Sequence, residues 1–236
     1  MNLLKNLNNN FLKNKKNLYL FLFLISLLSR ILISYYYGDR SLENEWTKLV
    51  NNLYNYNVLA FLKFGDLLVP NLWMPPVYAY FIYLHALIFG MNDNLAIYII
   101  VTQILISSFT SIIFYKILSH FFSNKTCFFG AILFSIFPLI VYSAGQISSV
   151  TVYLFLLLIF ILMTLSLMKE GSKNIYWNFA TIGLIAGILI LTRRDFVLIY
   201  FFTLIYSFLI FKISIKKILL ILMITSITIS PYLIRN

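Results

Sequence analysis

Repeated apolar runs of about 18 residues or more, nearly free of charge, most constrain what this chain can fold into. They lie near residues 18–36, 95–119, 126–145, 148–168, 175–192, 195–211 and 215–234. An apolar helix of that length crosses the hydrocarbon core of a bilayer and satisfies its own backbone hydrogen bonds, which lipid cannot do. The sequence therefore predicts an all-α membrane protein with about seven transmembrane helices.

The composition supports this class. Of 236 residues, 61% are hydrophobic and 11% are charged, whereas about 25% of a soluble domain is charged. The net charge of +11 comes largely from lysines in short loops beside apolar runs, where they set topology and contact anionic lipids. We therefore expect membrane lipids, and no nucleic acid, as partners. Because Cys127 is the lone cysteine and the two histidines are far apart, we expect no disulfide and no metal.

The stretch 37–94 differs from the rest because it holds most of the acidic residues. Near residues 41–55, an apolar stripe at helical spacing predicts a juxtamembrane helix lying along the membrane surface. The apolar segment 76–91 is short for a span, which predicts a second juxtamembrane helix, interfacial or re-entrant.

Lysine placement decides the topology. If residues 76–91 do not span, the basic tail 1–17 and the later lysine loops all face the cytoplasm, as the positive-inside rule requires. All five arginines and six of the seven acids then lie on the outer face. The positive-inside rule gives no reason for arginines on the outer face. Bidentate phosphate binding does favour arginine as a residue type. We predict an integral protein of the bacterial inner membrane with a cytoplasmic N-terminus.

Several motifs occur in a fixed order along the chain. Glu45-Trp46 is followed by Asn52-Leu53, and then by Pro75-Pro76-Val77-Tyr78. The stretch LTRRDFVLI and the closing PYLIRN come later. Together these resemble the GT-C superfamily of glycosyltransferases, which includes the protein O-mannosyltransferases and the lipid A aminoarabinose transferases. The whole chain, 1–236, resembles one GT-C-like transmembrane domain.

The resemblance implies inverting transfer of a sugar from a polyprenyl-phosphate-linked donor to a hydroxyl acceptor on the extracytoplasmic face, without a metal or other cofactor. A carboxylate would act as general base and arginines would hold the phosphate. The implied catalytic candidates are Glu43, then Glu45, then Asp39. The implied substrate-binding residues are Arg193, Arg194, Arg235, Arg30, Pro75, Pro76 and Tyr78.

The chain departs from the family pattern in three ways. The family's acid usually lies a few residues before the aromatic, but Leu42 stands four before Trp46. Ser148 and Ser149 stand where many relatives carry a second acid. Family members are also usually longer, so a truncated product is one open interpretation of the chain.

Other interpretations remain open at this point. The first-loop acids suit the first turn of a helix, Arg30 and the Arg193-Arg194-Asp195 cluster suit snorkelling, and Pro75-Pro76 suits a simple helix break. The whole chain could instead be a transporter or lipid flippase, or a truncated, non-catalytic fragment of a glycosyltransferase. The transporter is disfavoured because the runs after the first helix carry essentially no midplane charge.

Overall fold

The computed structural model describes residues 14–42, 44–64, 67–70, 74–169 and 175–235, which are mostly helical. The helices are α1 (Lys15–Tyr37), α2 (Asn44–Tyr56), α3 (Pro76–Phe89), α4 (Leu95–Leu118), α5 (Asn124–Ile136), α6 (Pro138–Ala144), α7 (Val150–Lys169), α8 (Ile175–Thr192), α9 (Phe196–Leu209) and α10 (Ile215–Arg235). Between α2 and α3, strands β1 (Ala60–Phe64) and β2 (Leu67–Pro70) pair as an antiparallel hairpin.

Within the described residues, four helices are long and apolar enough to cross a membrane, namely α1, α4, α7 and α10. Helices α5 and α6 pass the same test together as a pair bent by 51°, which would make a fifth span. Helices α3, α8 and α9 are apolar but shorter. The prediction of an all-α membrane protein is confirmed, whereas the count of about seven spans is not.

The run 126–145, predicted as one helix, is broken in two. Phe137 has an extended backbone, with ψ of 121°, and Pro138 begins the next helix. Proline lacks an N–H and forces the preceding residue out of helical geometry, so an apolar run cannot continue as a straight helix through it. The expected single helix was therefore wrong, and a helical elbow takes its place.

The segment between α1 and α4 has a small core of its own. Leu49 and Leu53 of α2 are buried in one cluster with Leu59 and with Ala79 of α3, and Phe61 of β1 packs against it. The predicted amphipathic stripe is thus real, and protein covers part of it, while the expected position of the helix along the membrane surface stays a prediction. The β-hairpin that packs beside it was not expected from the sequence.

The chain divides into two compact units. The first unit comprises residues up to Asp39 together with Ile100–Leu162, and the second comprises Arg40–Ile99 together with Met163–Asn236. The core of the first unit contains Leu18, Leu22, Tyr115, Cys127 and Ala131. The single transmembrane domain suggested by the sequence stays a prediction.

Close packing of α8 on α10 organises the second unit. A Cβ on Gly183 would lie 2.8 Å from the carbonyl oxygen of Ile221, and one on Gly187 would lie 2.5 Å from Cβ of Thr228. Small residues four apart let membrane helices approach closely. Because the two helices lie this close, Thr225 Oγ1 donates a hydrogen bond to the Gly183 carbonyl at 3.0 Å.

Replacing Gly187 by leucine is expected to destabilise the protein by about 1–3 kcal/mol, because the larger side chain forces α8 and α10 apart. Thermal unfolding in detergent, followed by far-UV circular dichroism, measures the effect. Leu184→Ala is the matched control, since Leu184 is exposed on the same helix, and its unfolding midpoint should change little. Equal midpoints for the two variants would show that the glycine contact does not matter.

Candidate active site

The candidate residues fall in both units. Asp39 and Arg30 belong to the first, and Glu45, Pro75, Pro76, Tyr78, Arg193, Arg194 and Arg235 belong to the second. Glu43, the preferred base from the sequence, lies outside the described residues.

Asp39 is hydrogen-bonded through its backbone and through its side chain to the loop that joins α6 to α7. Its backbone N–H donates to the Gly145 carbonyl at 2.9 Å, and its Oδ2 accepts a hydrogen bond from the N–H of Ile147 at 2.7 Å. Next to it, Gln146 Nε2 donates to the Tyr37 carbonyl at 2.8 Å. The hydrogen bond from Ile147 uses one carboxylate oxygen and leaves Oδ1 outside it. Asp39 is therefore an oriented carboxylate at the C-terminal end of α1.

A glycine and a glutamine shape this loop. A Cβ on Gly145 would lie 2.5 Å from Oγ of Ser34 in α1, so the loop can meet α1 this closely only through glycine. Gln103 of α4 is fully buried, and its Nε2 donates to the Gln146 carbonyl at 2.8 Å and lies 3.4 Å from that of Ala144. Neither glutamine was among the candidate residues predicted from the sequence. A polar residue inside an apolar helix was the available signal for Gln103.

Arg30 is fully buried, which contradicts the alternative interpretation that it snorkels. Its Nε donates to Ser107 Oγ at 2.6 Å, and its Nη1 donates to the Ser26 carbonyl at 2.9 Å. Helical side chains point back toward the N-terminus, and Ser26 lies one turn earlier. The guanidinium thus turns away from the outer end that the sequence assigned to it.

The elbow between α5 and α6 explains why a guanidinium is buried here. In an unbroken helix the Ser135 carbonyl would accept a hydrogen bond from the amide of Leu139. Instead it accepts hydrogen bonds from Arg30 Nη1 at 2.9 Å and from Ser29 Oγ at 3.0 Å. Within the described part of the chain, Arg30 Nη2 has no hydrogen-bond partner. The structure gives Arg30 a packing role, and its substrate-binding role stays a prediction.

In the second unit, the residues of the proline motif begin a helix. Pro75 is the N-cap of α3, and Pro76 is its first residue, a position where the missing N–H costs nothing. Tyr78 is fully buried, and its ring meets Trp46 edge-on with centroids 4.8 Å apart. Glu45 lies exposed in the first turn of α2. The proline motif and Tyr78 thus dock α3 against α2.

The later arginines lie near the surface of the second unit. Arg193 Nε and Asp195 Oδ1 are 3.3 Å apart in a half-exposed ion pair, and Arg194 is exposed. Arg235 stacks over the Tyr232 ring at 5.2 Å, and Tyr232 Oη lies 3.5 Å from the Met74 carbonyl. The end of α10 therefore lies beside the start of α3.

The chain matches the dolichyl-phosphate-mannose-protein mannosyltransferase family over residues 74–234, which is more than half its length. The chain belongs to this family. The predicted GT-C membership is thereby confirmed, and the protein is a membrane glycosyltransferase of the mannosyltransferase type. No curated protein and no solved structure matches it.

The family match covers only some of the candidate residues. It includes Pro75, Pro76, Tyr78, Arg193 and Arg194. It begins after the three candidate carboxylates, Asp39, Glu43 and Glu45. Membership favours the glycosyltransferase prediction over the transporter alternative. In the described ranges, no three His, Cys, Asp or Glu side chains come together in a group suited to a metal ion.

Proposed function

We propose that the protein transfers a sugar, with mannose as the first candidate, from a polyprenyl-phosphate-linked donor to a hydroxyl acceptor on the extracytoplasmic face. The family name supports this class of donor. The observation that carries the proposal is the oriented carboxylate of Asp39, one oxygen of which is held by the N–H of Ile147. A carboxylate fixed in this way can accept a proton without losing further conformational entropy in the reaction.

In the proposed reaction, the acceptor oxygen attacks the anomeric carbon of the sugar and its proton passes to Asp39. The bond between the anomeric carbon and the phosphate oxygen breaks, and the polyprenyl phosphate leaves with the electron pair. The phosphate-binding role that the resemblance implies for Arg193, Arg194 and Arg235 stays a prediction from the sequence, since guanidinium groups bind phosphate bidentately and keep their charge. No metal ion or other cofactor enters this proposal.

Asp39 replaces Glu43 as the preferred base in this proposal. Glu45 is exposed in the first turn of its helix, where it suits the helix dipole. Within the first unit, Asp39 at the end of α1 meets the loop after α6, which agrees with a topology that puts both segments on one side. The positive-inside rule predicts that this side is the outer face.

Proteoliposomes containing the full chain are expected to transfer mannose from a polyprenyl-phosphate mannose to a hydroxyl-bearing acceptor peptide, and not from a nucleotide-linked mannose. Radiolabel in the acceptor measures transfer, and protein-free liposomes give the background. Label taken from the nucleotide sugar alone would contradict the proposal. Movement of the labelled lipid across the bilayer without transfer would favour the transporter alternative.

A further inference from the structure

The hydrogen bond that orients Asp39 continues through one peptide group. The N–H of Ile147 donates to Asp39 Oδ2 at 2.7 Å, and the carbonyl of the same peptide, that of Gln146, accepts a hydrogen bond from Gln103 Nε2 at 2.8 Å. A peptide group is planar and conjugated. A donor on its carbonyl therefore strengthens the hydrogen bond made by its N–H, because hydrogen bonds in a chain polarise one another.

We propose that Gln103 is a positioning residue that orients the carboxylate of Asp39 through the 146–147 peptide, an inference that rests on Asp39 being the base. Gln103 acts on the carboxylate through the hydrogen bond that its Nε2 donates to the Gln146 carbonyl. It fixes the plane of the peptide that does contact the carboxylate, and it does so from α4, whereas Asp39 belongs to the end of α1.

The local fold explains why an amide occupies this position. Helix α6 ends at Ala144, and the last carbonyls of a helix lack partners within it. Thr151 Oγ1 donates to the Ser143 carbonyl at 3.0 Å, and the Gln103 amide reaches the carbonyls of Ala144 and Gln146. A glutamine offers two N–H donors without a charge, so it satisfies the end of the helix without the cost of burying an ion.

The loop has independent attachments that should survive the loss of Gln103. The Gly145 carbonyl still accepts from the N–H of Asp39, and Gln146 Nε2 still donates to the Tyr37 carbonyl. Within the loop, the N–H of Ser148 also donates to the Gln146 carbonyl at 2.9 Å. Removing the Gln103 amide should therefore leave the loop against α1 but loosen the 146–147 peptide, whose carbonyl then keeps only this local donor. The carboxylate would then be poorly aimed, while the substrates would bind as before.

Gln103→Leu in the full chain is expected to lower kcat by about tenfold to a hundredfold and to leave KM for donor and acceptor within about twofold. Gln103→His should recover part of kcat, since an imidazole N–H of similar reach can donate to the carbonyl. Ser108→Ala is the matched control. It removes a buried hydroxyl from the same helix, but that hydroxyl donates to the Ile104 carbonyl of its own helix, so kcat should be unchanged. An unchanged kcat in Gln103→Leu, or equal losses in Gln103→Leu and Ser108→Ala, would overturn the proposal.

Hydrogen exchange separates this inference from the proposed function, because it needs no sugar transfer. Exchange of the loop amides at residues 145–149, read by mass spectrometry, should be faster in Gln103→Leu than in wild type or Ser108→Ala. Faster exchange with unchanged kcat would show that Gln103 holds the loop but would refute its role in positioning Asp39 for catalysis. Unchanged exchange would refute the attachment, even if Asp39 proves essential.

Discussion

Replacing Asp39 by asparagine is expected to lower the rate of sugar transfer by at least about a hundredfold, the contribution typical of a general base. The asparagine side chain has nearly the same shape, and its oxygen can still accept the hydrogen bond that Ile147 donates to Asp39. The loop should therefore keep its place, while the amide cannot take the acceptor's proton. Initial rates with a polyprenyl-phosphate mannose donor at saturating concentration measure the effect.

The other first-loop acids serve as comparisons. Glu45→Gln removes an exposed carboxylate, and Asp93→Asn removes another, so both should keep the rate within about twofold of wild type. Glu43→Gln tests the base that the sequence favours. A loss confined to Glu43→Gln or Glu45→Gln would move the role to that residue, and a fully active Asp39→Asn would end the case for Asp39.

The spans were predictable because their signal is local. The runs 18–36, 95–119 and 215–234 match the helices Lys15–Tyr37, Leu95–Leu118 and Ile215–Arg235 within a few residues. Apolar length and flanking charge fix such helices without reference to the rest of the chain.

The elbow and the β-hairpin were not predicted, although each had a local signal in the sequence. The length and hydropathy of the surrounding runs outweighed those signals. Pro138 stood inside the run 126–145 and marked the elbow. Gly65-Asp66 stands between two short apolar segments, which is typical of a hairpin connection, and the flanking strands pair with Phe64 opposite Leu67. In both cases the residue that breaks the pattern was more informative than the pattern.

The site was harder to predict because it depends on contacts distant in sequence. Asp39 and Ile147 are separated by 108 positions, and which carboxylate a later loop holds depends on how α1, α4 and α6 pack. The stretch GQISSVTV was singled out for a missing acid at Ser148 and Ser149. The backbone N–H of Ile147 in this stretch donates to the Asp39 carboxylate, and no side-chain motif reveals a backbone donor.

Arg30→Leu is expected to destabilise the first unit by about 2–4 kcal/mol. It leaves the Ser107 hydroxyl without its charged partner and the Ser135 carbonyl with only one of its two donors. The lone cysteine gives a direct measurement, since Cys127 is buried in α5. Its labelling by a thiol-reactive dye during heating should begin at lower temperature in Arg30→Leu. Arg30→Lys should fall between, because an ammonium keeps the charge but cannot span the same acceptors.

Ser29→Ala provides the matched control for the elbow. It removes the second donor to the Ser135 carbonyl but leaves the hydrogen bond from Arg30, so the cost should stay near 1 kcal/mol. An Arg30→Leu protein that labels at the wild-type temperature would show that the guanidinium does not hold the elbow. If such a protein also failed to transfer sugar, Arg30 would be needed for the reaction and not for stability. The substrate-binding role that the sequence suggested would then be the better account of this residue.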